Sequence, residues 1–182
     1  MPRLYLVRHG RPEATFSQAP DAGLDKTGRA QAEAVAERLA PLGPLPIVVS
    51  PLRRTRETAA PLERRWACSG RIEPAVGEIP SPKTDPEARG AWLRAIMTGR
   101  WSAVDPGLHA WRDAVIAGLV ALPASSVVFS HSIAINVAVG EATADDRVTP
   151  FSPDHCSVTV IDVDAGALRL VERGAEAATR VL

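Results

Sequence analysis

Short apolar runs alternate along the chain with longer stretches in which apolar residues recur at helical spacing. The first run, residues 4–7, is followed by such a stretch near residues 26–39, and the same order returns after residues 47–49 and 127–129. Runs of three or four apolar residues suit strands that are buried on both faces of a sheet. The predicted strands cover residues 4–7, 47–49, 71–73, 127–129, 157–163 and 167–171.

The amphipathic stretches predict the helices. Asp25 is placed to cap the first of them, because its carboxylate can accept hydrogen bonds from the free N–H groups of a first turn. Pro61 lies inside the second, where it is expected to bend or interrupt the helix. The predicted helices cover residues 26–39, 52–66, 88–97, 108–122 and 133–139. Strands that alternate with helices predict an α/β fold, a three-layer α/β/α sandwich whose mostly parallel mixed sheet carries helices on both faces.

Composition and charge narrow the class of protein. The chain has 182 residues, of which 46% are apolar, with 21 basic and 21 acidic side chains. A chain of this size buries roughly 70% of its unfolded surface, so a single domain over residues 1–182 is expected. The balanced charge disfavours a nucleic-acid partner, which requires a basic excess, and a polybasic membrane-surface protein. An ordinary apolar fraction without long charge runs disfavours disorder.

The cysteines and the N-terminal residues predict the compartment. Cys68 and Cys156 have no metal-like spacing and are interpreted as reduced thiols. The apolar stretch at the N-terminus is too short for a signal peptide, and no apolar run approaches the roughly 20 residues that span a bilayer. We therefore expect a cytoplasmic protein without a membrane partner. The sequence leaves the oligomeric state open, a homodimer included.

Polar and cationic residues follow three of the predicted strands. Residues 8–10 (Arg-His-Gly), 50–54 (Ser-Pro-Leu-Arg-Arg) and 130–132 (Ser-His-Ser) come directly after strand ends, where open α/β sheets bind their ligands. Arginine presents a fork of donors that fits phosphate oxygens, and a neutral imidazole can attack phosphorus. A glycine after the first histidine lets the backbone approach a ligand closely. The pattern predicts phosphoryl transfer through a phosphohistidine, with no metal-ligand cluster and no cofactor.

Four segments, in chain order, resemble motifs of one family. Residues 6–10, Leu-Val-Arg-His-Gly, closely resemble the signature of the histidine phosphatase superfamily, whose members have the phosphoglycerate mutase-like fold. Residues 24–32 are similar to its Leu-Thr-x-x-Gly-x-x-Gln-Ala segment, with Asp25 in place of the usual threonine. Residues 50–59 are similar to its Ser-Pro-Leu-x-Arg-Ala-x-x-Thr-Ala segment, and residues 127–131 resemble the strand that carries its second histidine.

The resemblance implies a role for each site residue. His9 would be the nucleophile that forms the phosphohistidine, and Arg8, Arg54 and His131 would bind the phosphoryl oxygens. Glu78 would protonate the leaving oxygen and then activate water. The implied activity is that of a metal-independent phosphomonoesterase, a phosphoric monoester hydrolase of the histidine acid phosphatase type, acting on a small phosphorylated metabolite.

The chain departs from the family pattern at two places. Glu78 fits the family's Leu-x-Glu segment, but the Pro-Ser-Pro at residues 80–82 replaces the Phe-Gly-x-Trp-Glu-Gly that often follows. Ser132 stands where the family usually has glycine after its second histidine. Residues 78–122 are expected to contain a small cap insert that sets specificity. The candidate substrate-binding residues are Arg11, Ser132 and His155.

Three rival functions are left open by the sequence. A phosphoglycerate mutase-type phosphotransferase needs a second phosphate-binding lobe, and the limited length between Glu78 and His131 favours a phosphatase instead. A protein phosphohistidine phosphatase works without the acid, so it predicts that Glu78→Gln is harmless. A catalytically silent phospho-ligand binder is disfavoured because every core position of the pocket is retained. The sequence does not specify which phosphorylated metabolite is bound.

Overall fold

A mixed sheet of six strands forms the centre of the protein. The computed structural model describes residues 1–178. The strands are β1 Arg3–Arg8, β2 Ile47–Val49, β3 Arg71–Ile72, β4 Ser126–Ser130, β5 Val158–Asp164 and β6 Ala167–Glu172. In space they follow the order β3-β2-β4-β1-β5-β6. All of the strands predicted from the apolar runs are therefore present.

Helices connect the strands. Within the described chain, the α-helices are α1 Lys26–Leu39, α2 Arg53–Trp66, α3 Pro86–Met97, α4 Pro106–Val120 and α5 Ser132–Thr143. Asp25, Asp85 and Asp105 cap α1, α3 and α4, since each side chain accepts a hydrogen bond from a first-turn N–H group. The predicted cap at Asp25 is confirmed. Among the described residues, no helix has the length and apolar content that crossing a bilayer requires.

The parallel part of the sheet brings three strand ends to one edge. β4 lies between β1 and β2 and pairs in parallel with both. The register sets Arg8 opposite Ser130 and Val49 opposite Phe129, so the residues that follow these strands leave the sheet at the same level. On the other side, β5 and β6 are antiparallel, which makes the sheet mixed.

Helices cover both faces of the sheet, which confirms the three-layer α/β/α sandwich. One apolar cluster joins Leu4 and Leu6 of β1 to residues of α4 and α5. The neighbouring Val7 belongs to a second cluster, with residues of α1 and α2. Successive side chains of a strand point to opposite faces, so each apolar run contributes to two cores.

Pro61 is expected to bend or interrupt α2, and the interruption is not found. The helix continues from Arg53 to Trp66, and Pro61 is one of its buried residues. A proline removes one backbone hydrogen bond from a helix. Ala59 and Leu62 are fully buried in the second apolar cluster, and their packing keeps the chain helical at a position where local propensity is unfavourable.

The region expected to contain a cap insert divides into two parts. α4 packs against α5 in the layer that covers the sheet. α3 comes before it in the chain, after the Pro-Ser-Pro at residues 80–82. From this region, Glu78 and several residues between 90 and 98 border a cavity at the strand ends. The part of the insert that borders the site is therefore α3 with the residues around it.

Candidate active site

The strand ends open into a cavity of about 490 Å³. Arg8 and His9 reach it from the end of β1, Arg54 from the first turn of α2, and Glu78 from the loop that follows β3. His131 follows β4, and the centroid of its ring lies 5.4 Å from that of His9. The structure thus brings together all five residues to which the resemblance assigns the reaction.

His9 presents one ring nitrogen to the cavity. Its Nδ1 donates to the carbonyl oxygen of Gly10 at 2.8 Å, since a carbonyl can only accept, and Nε2 is left without that partner. Burial lowers the pKa of His9 well below its usual 6.5, and the charges of His131 and Arg54 lower it further. The imidazole is therefore neutral at pH 7, which is the form that a nucleophile needs.

Close backbone packing fixes the loop that carries His9. A Cβ atom on Gly10 would lie 2.6 Å from the carbonyl oxygen of Gly28 in α1, and a Cβ atom on Gly28 would overlap the carbonyl oxygen of Arg11. The backbone N–H of Gly10 donates to Thr58 Oγ1 of α2 at 3.0 Å. Only glycine allows this approach of loop and helix.

Two guanidinium groups border the cavity. Arg54 is 2% exposed and donates to the carbonyl oxygen of Pro20 at 2.8 Å and to the Glu78 carboxylate at 3.0 Å. Arg8 donates to the carbonyl oxygen of Pro153 at 2.7 Å, while its buried Nε has no partner. Arg8 forms no ion pair in the described part of the chain, and burial lowers its pKa. A bound anion would stabilise such a cation.

His131 is fully buried, and both of its ring nitrogens have protein partners. Nε2 lies 2.7 Å from Ser50 Oγ, and Nδ1 lies 3.3 Å from a carboxylate oxygen of Glu78. Nδ1 also lies 3.2 Å from Nη2 of Arg54. Among the described residues, His131 is not part of the cavity wall, whereas Glu78 is. His131 can therefore contact a ligand directly only if the ligand replaces the Glu78 carboxylate beside Nδ1.

Glu78 supplies negative charge to this cationic cluster. Burial by itself raises the pKa of Glu78, but His131 and Arg54 outweigh burial and lower the pKa to about 2. Burial lowers the pKa of His131 in turn, although Glu78 opposes that shift. Without a ligand, Glu78 is thus an anion held by its neighbours rather than an acid ready to donate a proton.

The three candidate substrate contacts all line the cavity. The ring of His155 lies 5.8 Å from that of His9, and burial lowers the pKa of His155 to about 4. Arg11 is held at the exposed rim by an ion pair with Asp25, and Ser132 is the first residue of α5. No group of three or more His, Cys, Asp or Glu that suits a metal ion is found in the described chain.

Two segments of the cavity wall are not predicted by the sequence. Residues 12–18 follow directly after the Arg-His-Gly motif and carry Phe16, whose ring centroid lies 5.7 Å from Cζ of Arg54. Phe151 comes from the loop before β5. A single aromatic residue in a polar loop is the available signal for Phe16, whereas no signal in the sequence marks Phe151.

Known proteins include relatives by sequence. The Mycobacterium tuberculosis (strain ATCC 25618 / H37Rv) protein Rv0525 is 32% identical over 115 residues, which cover 61% of this chain and 49% of that protein. The match thus spans about half the length of this relative. GpmB of Enterobacter sp. (strain 638), named a probable phosphoglycerate mutase, is 29% identical over 188 residues, with 89% of this chain and 85% of that protein covered.

Solved structures share the fold. A mycobacterial glucosyl-3-phosphoglycerate phosphatase in complex with VO3 matches with a TM-score of 0.73 at 22% identity, over 98% of this chain and 100% of that one. A phosphoserine phosphatase of Entamoeba histolytica in complex with 3-phosphoglyceric acid matches with a TM-score of 0.77 at 19% identity, over 96% and 98% of the two chains. At these identities the likeness concerns the fold alone, and it confirms the phosphoglycerate mutase-like architecture.

Membership of a family rests on a match along nearly the whole chain. The model of the histidine phosphatase superfamily (branch 1) matches residues 4–176. That range includes the strand ends, the Arg-His-Gly motif and every residue placed at the cavity above. The chain therefore belongs to the histidine phosphatase superfamily, branch 1.

Proposed function

We propose that this protein is a metal-independent phosphomonoesterase that hydrolyses a small phosphorylated metabolite through a phosphohistidine at His9. The observation that supports this most is the state of His9, a buried neutral imidazole whose Nδ1 is bonded to Gly10 and whose Nε2 is left for the cavity. Arg8 and Arg54 border the same cavity. A neutral nucleophile between fixed cations suits attack on a phosphate ester.

In the first step, the phosphate monoanion of the substrate takes the place of the Glu78 carboxylate beside Arg54 and His131. These two residues donate to the phosphoryl oxygens, and Arg8 gains the counter-ion that it lacks in the described chain. His9 Nε2 attacks phosphorus while the bond from phosphorus to the leaving oxygen breaks. Glu78 loses its cationic partners, so its pKa rises; it takes the proton that the monoanion carries and passes it to the leaving oxygen.

In the second step, water hydrolyses the phosphohistidine. Glu78, again a carboxylate, removes a proton from a water molecule that attacks phosphorus. The bond from Nε2 to phosphorus breaks, which releases inorganic phosphate and neutral His9. Arg8 and Arg54 stabilise the charge that is spread over the three phosphoryl oxygens in both steps.

A mutase-type phosphotransferase is the second candidate, and the match to GpmB favours it. Because that match covers 85% of GpmB, the length of the chain does not separate the two functions, contrary to the expectation from the sequence. A mutase must hold its ligand in two orientations, which calls for a second set of free cations. The further arginines of the described cavity wall are Arg11, which is paired with Asp25, and Arg94, which is exposed and has no ion pair there, so this wall offers one free cation rather than a second set. These observations support hydrolysis.

The proposal is tested by trapping the phosphoenzyme. Wild-type and His9→Ala proteins are mixed with a radiolabelled phosphomonoester and quenched in alkali, in which phosphohistidine survives, or in acid, in which it is lost. We expect an alkali-stable, acid-labile label on the wild type and none on His9→Ala. We also expect kcat/KM of His9→Ala to fall by roughly 10⁴–10⁶.

His109→Ala is the matched control, because His109 is a half-buried histidine of α4 that packs against Trp101 at 6.2 Å between ring centroids. Its activity is expected to equal that of the wild type. Full activity of His9→Ala would contradict the mechanism. Interconversion of 2- and 3-phosphoglycerate would favour the mutase, and an unimpaired Glu78→Gln protein would favour a protein phosphohistidine phosphatase. Phosphate binding without turnover would indicate a silent binder.

A further inference from the structure

Five apolar side chains border the same cavity. We call this set the apolar wall; it consists of Phe16, Leu93, Met97, Ile133 and Phe151. Its members come from the loop after β1, from α3, from the first turn of α5 and from the loop before β5. Phe16, Leu93 and Met97 are half-buried, so part of each side chain is accessible from the cavity.

Three hydroxyl groups of the cavity wall already have partners. The hydroxyl groups of Thr98 and Thr149 donate to backbone carbonyl oxygens of α3. The hydroxyl of Thr15 donates to the side-chain oxygen of Gln18 within its own loop. The charged side chains of the cavity wall include Arg11, Glu13 and Arg94, which are exposed. Hydroxyl groups of a ligand that were buried against the apolar wall would lose their hydrogen bonds to water without a replacement from its five side chains, which is unfavourable.

Phe16 is held in position by two arginines. Cζ of Arg54 and Cζ of Arg89 each lie 5.7 Å from its ring centroid. Arg89 is 9% exposed, and its guanidinium donates to four backbone carbonyl oxygens, those of Phe16, Ser17, Lys83 and Thr84. This arginine therefore ties the loop after β1 to α3. Because the loop is bonded in this way, the apolar wall exists before a ligand arrives.

We propose that the substrate is the phosphomonoester of an apolar alcohol, alkyl or aryl, whose hydrocarbon part packs against the apolar wall. This inference rests on the proposed phosphomonoesterase function and names its substrate class. Hydrolysis breaks the bond between phosphorus and the ester oxygen, which takes a proton from Glu78, and water then supplies the oxygen that binds phosphorus, so the products are inorganic phosphate and the apolar alcohol. Specificity arises because each methylene group that leaves water for the wall stabilises the complex.

The first experiment compares kcat/KM for ethyl, butyl and hexyl phosphate with that for glycerol 3-phosphate. We expect kcat/KM to rise by roughly three- to fourfold per methylene, the value for complete burial, until the wall is covered. Glycerol 3-phosphate is expected to be a poorer substrate than butyl phosphate, which is of similar size. Equal values along the series, or a preference for glycerol 3-phosphate, would overturn the inference while leaving the proposed function intact.

Variants locate the effect. Leu93→Ala and Met97→Ala should lower the gain per methylene, so that kcat/KM falls more for hexyl phosphate than for ethyl phosphate. Ala95→Ser is the matched control, since Ala95 lies on the same helix and is exposed. Thermal unfolding checks that the variants are folded. If both variants are folded and the rise in kcat/KM per methylene is unchanged, the apolar wall does not bind the hydrocarbon part of the substrate.

Binding of alkylphosphonates tests the wall without turnover. Calorimetry on the wild-type protein compares hexylphosphonate with ethylphosphonate, neither of which can be hydrolysed. We expect hexylphosphonate to bind roughly 80- to 250-fold more tightly if all four additional methylene groups are buried. If no ester is hydrolysed but this difference is found, the proposed function fails and the apolar site is supported. Equal affinities would overturn the apolar site whether or not the protein is an enzyme.

Discussion

Replacing Glu78 with glutamine removes a negative charge and a titratable proton while keeping the shape of the side chain. With a pKa of about 2, Glu78 is almost wholly ionised in the free protein at neutral pH. At pH 7 the difference of about five pH units leaves roughly one carboxyl in 10⁵ protonated, equivalent to about 7 kcal/mol. The ionised Glu78 carboxylate can donate a proton only if it first receives one from the substrate.

A phosphate monoester provides such a proton, because its second pKa is about 6. When the monoanion binds, the proton passes to Glu78 as Arg54 and His131 turn to the phosphoryl oxygens. We therefore expect kcat/KM for an alkyl phosphate to fall up to tenfold per pH unit above about pH 6. The acid side of the profile depends on His9, which stays neutral to pH values well below 6.5. The expected optimum is acidic.

The assay measures kcat/KM of the wild type and Glu78→Gln from about pH 5 to about pH 9 with two substrates, hexyl phosphate and p-nitrophenyl phosphate. The first needs protonation of its leaving oxygen, whereas p-nitrophenolate leaves without it. We expect Glu78→Gln to lose roughly 10²–10⁴ in kcat/KM on hexyl phosphate and much less on p-nitrophenyl phosphate. Phosphohistidine should accumulate in a burst, because the second step lacks its base.

Glu13→Gln is the matched control, since Glu13 also lines the cavity but lies at its exposed rim, 3.9 Å from Arg53. It should keep the wild-type profile. Loss of the buried charge should also destabilise Glu78→Gln by about 1–3 kcal/mol in thermal unfolding at neutral pH, because Arg54 loses its charged acceptor. Equal losses of kcat/KM on both substrates would refute proton donation by Glu78.

Further predictions concern stability and positioning. The fold lowers the pKa values of His9 and His155, so the unfolded chain binds more protons than the folded chain below about pH 6.5. The free energy of unfolding should therefore decline on acidification, by up to about 1.4 kcal/mol per pH unit for each histidine. Urea unfolding at several pH values measures this decline. His155→Gln should remove its share of that decline. Arg8→Met should stabilise the free protein by about 1–2 kcal/mol, because an unpaired buried donor is removed, and should lower kcat/KM by roughly 10²–10³. Arg89→Met should raise KM for alkyl phosphates with little change in kcat, since the loop carrying Phe16 is released; a fall in kcat alone would argue against this role. Gly28→Ala should destabilise the fold by about 1–3 kcal/mol, because the new Cβ would overlap the backbone oxygen of Arg11, whereas the new Cβ of Gly107→Ala would lie 3.1 Å from its one neighbour, the Asp105 carboxylate, and should cost less.

The helices, the strands and the residues at the strand ends were predictable because burial of a helix or strand makes apolar residues recur at a fixed spacing along the sequence. The run at residues 4–7 alternates between two cores in the structure, as expected for a strand buried on both faces. Asp25 caps α1 through a hydrogen bond to a residue three positions away. Pro61 shows where local rules fail, since tertiary packing carries α2 through it. That failure has a physical cause, because propensity is a smaller contribution than the burial of a helix face.

The sequence by itself determined the α/β class, the alternation of strands and helices, and the histidines and arginines that follow the strands. Only the tertiary structure decided that β4 lies between β1 and β2, which sets His9 and His131 beside each other. It also decided the charge states, since the low pKa of Glu78 comes from Arg54 and His131, which are distant in the chain. The apolar wall likewise joins segments that share no local pattern. Electrostatic fields and cavity walls depend on which groups are near in space, and periodicity reports only on neighbours along the chain.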